Sequence, residues 1–160
     1  MPLITILLFG MLAASFALIF ELLLSGVNPA FLIISETLTF KTLVALLGIA
    51  LLEEVSKYIF LRQYALRFLL AKKLLAKNIF LLGISFGVGF SALEILLIQN
   101  EMLAFPYLAS LGTACLHIAT SIIFAFSLLS SAEKRFPPFL VLLIALLLHT
   151  LYNIVVLAVF

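Results

Sequence analysis

Seven side chains that ionise or form strong hydrogen bonds interrupt long apolar segments of this chain. They are Glu53, Glu54, Lys57, Glu94, His117, His149 and Asn153. A charged side chain at the centre of a bilayer costs about 2.5 kcal/mol or more, and such residues face a bundle interior or a water-filled cavity. Four apolar segments each contribute one polar cluster, so we expect these groups to meet in one buried reaction centre.

Two kinds of chemistry suit this set of residues. Carboxylates and imidazoles accept and donate protons in hydrolysis, and an amide N–H stabilises a developing oxyanion. Carboxylates and imidazoles are also zinc ligands. The sequence contains no His-Glu-x-x-His, which removes the commonest zinc-protease arrangement.

The elements that position these residues are predicted to be membrane helices. The chain has 160 residues, 66% of them hydrophobic and 10% charged, which indicates a polytopic membrane protein. Five windows are long enough to span, and they are roughly 3–24, 42–61, 79–99, 107–130 and 139–160. The predicted fold is therefore an all-α polytopic helical bundle. It forms a single integral membrane domain over 1–160, with a motif-bearing core at about 42–160.

The distribution of basic residues predicts the orientation. The segment 62–78 carries five lysines and arginines and no acid, and Lys134 and Arg135 follow the fourth window. Because positive loops stay inside, we expect a cell-membrane protein with its N-terminus and both basic loops in the cytoplasm. The net charge of +2 gives no indication of nucleic-acid binding. The segment 62–78 is interpreted as a topology anchor, with an amphipathic surface helix as the alternative.

Helical spacing predicts which faces point inward. Gly83, Gly87, Ser91 and Glu94 share one face, and the G-x-x-x-G pair lets a neighbouring helix approach closely. His149 and Asn153 form an i, i+4 pair. The fourth window has a polar stripe that consists of Ser110, Thr113, His117, Thr120 and Ser121.

Lys57 reaches Glu53 at i+4 or Glu54 at i+3, so it neutralises one glutamate and leaves the other free. Spacing does not decide between them. Helix rise places the polar groups between the cytoplasmic half and the midplane, in a cavity that opens to the cytoplasm. Four further residues are interpreted as having no role at the centre, and they are Glu21, Glu36, Glu101 and the packing residue Cys115.

The ordered set of motifs resembles that of the PrsW-type intramembrane proteases, which group with the CAAX prenyl endopeptidases and bacteriocin-processing relatives. EEVSK at 53–57 is similar to their E-E-x-x-K motif, and FSALE at 90–94 to their Phe followed four residues later by Glu. His117 matches the histidine of the next helix, and HTLYN at 149–153 resembles the final H-x-x-x-N. The wider relatives usually have His at the position of Glu94, which favours the PrsW branch.

The resemblance implies a role for each residue. Glu53 would be the base that activates water, Glu94 would bind or polarise that water, and Glu54 would be held by Lys57. Phe90 would be a supporting residue of the second motif. His149 and Asn153 would donate hydrogen bonds to the oxyanion, and His117 would carry a proton or bind metal.

The resemblance also implies a partner and leaves the cofactor open. The substrate would be a membrane protein, of the type of a single-pass anti-sigma factor, cut in or near its membrane segment. A zinc-dependent version would use Glu53 or Glu54 together with Glu94, His117 and His149. We favour glutamate catalysis without an obligatory metal.

Two other functions fit the same pattern. Polar groups on several helices also form proton relays, as in a proton-coupled transporter subunit, although no repeats or paired half-helices are present. A non-catalytic membrane scaffold of the same fold is the other alternative, because fold does not determine function.

Overall fold

Five long helices account for nearly all of the residues that the computed structural model describes, which are 3–27, 39–68, 76–97, 106–130 and 137–159. The helices are α1 (Leu3–Val27), α2 (Phe40–Phe68), α3 (Ala76–Leu97), α4 (Pro106–Ser130) and α5 (Pro138–Val159). No β-strand occurs in these described ranges. The predicted all-α helical bundle is confirmed.

The composition of the helices supports a multi-pass membrane protein. Four of them, α1, α3, α4 and α5, are long and apolar enough to cross a membrane. The helix α2 has 29 residues and is also long enough, but Glu53, Glu54 and Lys57 lie in its central part. These three side chains are buried inside the bundle. The outward face of α2 is therefore apolar, although the helix as a whole is more polar than the other four helices.

The helix ends follow local chemistry, with one difference from the predicted boundaries. Pro106 and Pro138 are the first residues of α4 and α5, where a missing N–H costs no helical hydrogen bond. The helix α2 continues to Phe68, beyond the predicted end at about residue 61. The first part of the predicted basic loop is therefore helical, and it carries Arg62 and Arg67 as exposed side chains. Residues 69–75 lie outside the described part.

Small residues bring the helices together. A Cβ built on Gly83 would lie 2.6 Å from the Ile122 Cα, and one built on Gly87 would lie 2.5 Å from the Ile118 Cα. The prediction that this G-x-x-x-G face admits a neighbouring helix is confirmed, and the neighbour is α4. Gly10 makes a similarly close contact with the Phe86 backbone, which brings α1 against α3.

The helix α2 lies at the centre of the packing, against α1 on one side and against α4 and α5 on the other. The helix α3 packs between α1 and α4. Aromatic side chains such as Tyr64, Phe86 and Phe124 fill the buried core. Large apolar side chains cover the outside, as lipid contact requires. Cys115 is exposed on this outer surface, so its interpretation as a packing residue is wrong.

Candidate functional site

A buried ion pair on α2 organises the polar centre. Lys57 Nζ donates to Glu54 Oε1 at 2.6 Å and to Thr120 Oγ1 on α4 at 3.2 Å. The ammonium group also lies 4.7 Å from the centre of the Phe90 ring, a cation–π contact. The structure therefore pairs Lys57 with Glu54, at i+3, and leaves Glu53 without a lysine.

The same Glu54 oxygen orients His149. His149 Nδ1 lies 2.7 Å from Glu54 Oε1, which also accepts a hydrogen bond from Lys57. Because a carboxylate oxygen only accepts, His149 Nδ1 carries the proton and donates it. In the neutral imidazole the other nitrogen, Nε2, carries a lone pair, and it lies 3.6 Å from Glu53 Oε2. One glutamate thus sets the tautomer of the imidazole, and the other faces its lone pair.

His117 brings α3 and α4 into the centre. Its Nε2 forms a hydrogen bond with Glu94 Oε2 and lies 3.8 Å from Glu53 Oε2. The ring is fully buried, with Phe90 at 4.8 Å and the His149 ring at 5.3 Å between centroids. The two histidines therefore flank Glu53, and Glu94 and Phe90 hold His117 in place.

Glu53 forms no hydrogen bond within the described part of the chain, where Glu54 Oε2 and His117 Nδ1 are further buried atoms of the centre without a partner. It is 6% exposed, and its Oε2 atom has no hydrogen-bond partner among the described residues. A buried polar atom without a partner costs about 1–3 kcal/mol, more for a charged group. Such an atom is satisfied in a working protein by water, by an ion or by a substrate.

A partly open groove gives access to this carboxylate. It is lined by Glu53 from α2, by Leu93 and Glu94 from α3, and by a face of α1 that includes Ala14 and Ala17. The space in it that is open to water has a volume of about 30 Å³, which is enough for about two water molecules. Glu53 therefore lines a space in which water can sit, while its Oε2 atom, beside the two histidines, is buried.

The structure does not bring Asn153 into the hydrogen-bonded centre. Asn153 is half-buried, and its side chain forms no hydrogen bond with any residue of the described ranges. Its neighbour Tyr152 instead ties α5 to α4, because its hydroxyl donates to Ala109 O at 2.6 Å and lies 3.2 Å from Thr113 Oγ1. Thr113 thus belongs to helix packing, whereas His117 and Thr120 of the same stripe belong to the centre.

One group of side chains has the geometry of a metal site. Ligand atoms of Glu53, His117 and His149 lie within 4.8 Å of one another, and two imidazoles with a carboxylate are a donor set that suits zinc. The pair of Glu54 and His149 Nδ1 is the outer contact that metal-bound histidines usually make. The predicted ligands were Glu53 or Glu54 with Glu94 and the two histidines. Glu54 Oε1 accepts hydrogen bonds from Lys57 and His149, Glu94 is bonded to His117, and Glu53 is the carboxylate grouped with the two histidines.

Glu21 was missed by the sequence interpretation. It lies on α1 and lines the same groove as Glu53 and Glu94. The available signal was its spacing: Ala14, Ala17 and Glu21 fall on one helical face, and small residues on a membrane helix indicate close packing. Glu36 and Glu101, which were also given no role, lie outside the described residues.

Two carboxylates of the groove lie toward the C-terminal ends of their helices. Glu94 is three residues before the end of α3, and Glu21 is six residues before the end of α1. At 1.5 Å per residue, Glu94 is about 4.5 Å from the end of its helix. In the predicted orientation both of these helix ends point away from the cytoplasm. The predicted opening of the cavity to the cytoplasm stays a prediction.

Searches of protein-family models, curated proteins and solved structures found no match to this chain. Its function must therefore be argued from the site.

Proposed function

We propose that this protein is an intramembrane endopeptidase of the PrsW type, which hydrolyses a peptide bond in or near the membrane segment of another protein. The observation that carries the proposal is the Glu53 carboxylate. Its Oε2 atom is buried and unpartnered and lies within 3.8 Å of two imidazole nitrogens, and the Glu53 residue also lines a groove with room for water.

Glu53 and His149 suit the activation of that water. Glu53 Oε2 and, in the neutral imidazole, His149 Nε2 are both acceptors and lie 3.6 Å apart, so one water beside them can donate to both. A water that donates to both directs its oxygen lone pairs toward the groove. Glu53 takes one proton as the water oxygen bonds to the peptide carbon, and it returns the proton to the amine nitrogen as the C–N bond breaks.

The remaining residues position this pair. Glu54 holds His149 in the required tautomer, and Lys57 balances the charge of Glu54. Glu94 and Phe90 hold His117 beside Glu53. Asn153 lies one helical turn from His149 on α5, and we retain it as the oxyanion donor that the motif resemblance implies. A zinc ion held by Glu53, His117 and His149 would supply Lewis-acid polarisation of the same water.

The test is cleavage by the purified protein in vesicles. A single-pass peptide library with apolar segments of about 20 residues serves as the substrate, and mass spectrometry locates the new termini. We expect Glu53→Gln to lower the cleavage rate by about 100-fold or more, because a general base contributes that much. The control Ser25→Ala removes a hydroxyl that bonds only within α1, to Leu22 O, and should cleave normally. Normal cleavage by Glu53→Gln would overturn the proposal.

A proton-coupled transporter is the second candidate, because one observation favours it. The titratable groups form a continuous series from Glu94 through His117, Glu53 and His149 to Glu54. Adjacent acid and base groups of this kind relay protons. Uptake driven by a pH gradient that Glu94→Gln abolishes, in vesicles that show no proteolysis, would favour this function over the peptidase.

A further inference from the structure

The ammonium group of Lys57 is held by groups from three helices. It donates to Glu54 Oε1 on α2 at 2.6 Å and to Thr120 Oγ1 on α4 at 3.2 Å, and it lies 4.7 Å from the centre of the Phe90 ring on α3. An ammonium has three N–H donors and accepts no hydrogen bond. Because Lys57 is fully buried, these three neighbours determine where its charge lies.

Two carboxylates of α2 are within reach of this ammonium. Counted back from Lys57, Glu54 is three residues away and Glu53 is four residues away. Glu54 Oε1 already accepts a hydrogen bond from His149 Nδ1, whereas Glu53 accepts none within the described part of the chain. Helical reach does not separate the two carboxylates, and the emptier acceptor is Glu53. A contact from outside α2 must therefore keep the ammonium on Glu54.

Thr120 is placed to supply that contact. Its side chain is fully buried, and its hydroxyl donates to His117 O, one turn back on α4, at 3.4 Å. Since a hydroxyl has one proton and two lone pairs, a lone pair is available to the Lys57 ammonium. The branched Cβ and the bond to the backbone limit the rotation of the Thr120 side chain, so this acceptor has a fixed place.

The Phe90 ring does not make the same selection. It contacts the His117 ring as well as the Lys57 ammonium, and His117 Nε2 lies 3.8 Å from Glu53 Oε2. The ring therefore borders the surroundings of both glutamates. Among the three neighbours of the ammonium, the Thr120 hydroxyl is the acceptor that comes from outside α2 and favours Glu54.

We propose that Thr120 is a positioning residue, which holds the Lys57 ammonium on Glu54 and so leaves Glu53 free to accept a proton from water. The inference rests on the proposed function in one respect, which is the use of Glu53 as the base. Thr120 acts through Lys57 and has no contact with the water or the substrate. When its hydroxyl is removed, the ammonium loses its acceptor on α4 and moves to Glu53.

The first measurement locates the ammonium directly and needs no substrate. The protein carries isotope labels at the lysine side-chain nitrogen and at the glutamate carboxyl carbon, and it is reconstituted into lipid vesicles. Solid-state NMR then measures the dipolar coupling between the two labels, which is strong only for groups in direct contact. Glu53→Gln identifies the Glu53 signal, because that signal is lost. In the unsubstituted protein we expect no coupling at the Glu53 signal.

Thr120→Val keeps the shape of the side chain and removes the hydroxyl. Coupling should then appear at the Glu53 signal, and the rate of peptide cleavage should fall by about tenfold, less than in Glu53→Gln because the carboxylate is still present. Thr120→Ser keeps the hydroxyl and should retain both the original coupling and the original rate. Thr120→Cys places a weak acceptor there and should show a smaller change of the same kind, so it replaces Thr120→Val if that variant does not fold.

The matched control is Ser121→Ala. Ser121 is the next residue of α4 and is also fully buried, but its hydroxyl has no hydrogen-bond partner within the described ranges. Its removal should change neither the coupling nor the cleavage rate. The same change in Ser121→Ala as in Thr120→Val would overturn the inference, because the loss of any buried hydroxyl would then suffice.

The two readouts separate this inference from the proposed function. A Glu53 signal that is coupled in the unsubstituted protein, or that stays uncoupled in Thr120→Val, overturns the inference whether or not peptides are cut. Coupling that appears in Thr120→Val without a loss of cleavage rate also overturns it. Coupling at Glu53 in Thr120→Val, but not in Thr120→Ser or Ser121→Ala, supports the placement of Lys57 by Thr120 even when the unsubstituted protein cuts no peptide, and only the peptidase proposal then fails.

Discussion

At the scale of single residues, two adjacent glutamates have opposite environments. Glu54 Oε1 accepts hydrogen bonds from Lys57 and His149 while its Oε2 has no partner, whereas Glu53 accepts no hydrogen bond on either oxygen within the described part of the chain. Adjacent helical positions differ by about 100° in direction, so one carboxylate points to the ion pair and the other to the groove. This division separates a structural glutamate from one that is free to react.

The first prediction concerns the stability of variants at these two positions. Glu54→Gln leaves the Lys57 ammonium buried without its carboxylate, and breaking a buried pair in this way costs about 3–5 kcal/mol. Glu53→Gln removes an unpartnered carboxylate oxygen and should leave stability unchanged or raise it. Thermal unfolding in detergent, followed by far-UV circular dichroism, should show a much lower Tm for Glu54→Gln alone.

The control for this prediction removes both charges. The double variant Glu54→Gln with Lys57→Met has no stranded ammonium, so it should regain most of the lost stability. Equal melting temperatures for Glu53→Gln and Glu54→Gln would show that Lys57 is not paired as described.

The second prediction concerns metal dependence. We expect cleavage to survive dialysis against a chelator, because Glu53 Oε2 and His149 Nε2 can both accept from one water without an ion. Metal content of the purified protein and the cleavage rate before and after chelation are the measurements. Loss of activity that added zinc restores would instead assign Glu53, His117 and His149 as ligands.

Spacing predicted the residues of this centre but not their pairing. Both glutamates are within helical reach of Lys57, and the choice depends on Thr120 and His149, which come from α4 and α5. Such contacts between distant segments are not encoded in local periodicity. For Asn153, the i, i+4 spacing from His149 was recognised in the sequence. Its absence from the hydrogen-bonded centre could not be predicted from that spacing.

At the scale of helices, the site depends on the contact between α3 and α4. Gly83 and Gly87 let these helices touch backbone to backbone, and the contact of Gly87 with Ile118 lies next to His117. The hydrogen bond between Glu94 and His117 spans the same interface. The separation of α3 from α4 therefore sets the position of His117 beside Glu53.

The third prediction tests this dependence. In Gly87→Ala the new methyl would lie 2.5 Å from the Ile118 Cα, and backbone atoms cannot move aside cheaply. We expect a loss of about 1–3 kcal/mol in stability, the usual cost of overpacking, together with reduced cleavage. The matched control is Gly26→Ala, whose added Cβ has nothing within 4 Å. An unchanged Tm in Gly87→Ala would contradict the close packing of α3 and α4.

Helix number and inward faces could be predicted at this scale, and exact helix ends could not. Five apolar windows gave five helices, and the glycine face of α3 was identified from its spacing. The extension of α2 to Phe68 was missed because exposed arginines look like a loop to a hydropathy argument. Glu21 was missed because its neighbours in the groove come from α2 and α3.

At the scale of the whole molecule, the orientation of the bundle determines on which side of the membrane the groove lies. In the orientation that the basic segments 62–78 and 134–135 predict, the C-terminal ends of α2 and α4 lie in the cytoplasm. The helices α1 and α3 then end on the opposite side, and the groove lies toward those ends, at Glu21 and Glu94. A substrate segment would therefore enter from the non-cytoplasmic half of the membrane.

The last prediction tests orientation and access together by cysteine labelling. The exposed Cys115 is first replaced in Cys115→Ala, and single cysteines are then introduced as Leu93→Cys in the groove and as Lys72→Cys and Lys134→Cys in the basic segments. A membrane-impermeant thiol reagent should label Leu93→Cys in right-side-out vesicles, because the groove is partly open. It should label the other two only in inverted vesicles.

Labelling of all three cysteines from one side would place the groove at the cytoplasmic end of the bundle, as the helix-depth argument from sequence alone predicted. Labelling of Leu93→Cys only in inverted vesicles, and of Lys72→Cys and Lys134→Cys only in right-side-out vesicles, would reverse the predicted orientation of the whole bundle. The groove would then still lie at the opposite end of the bundle from the basic segments.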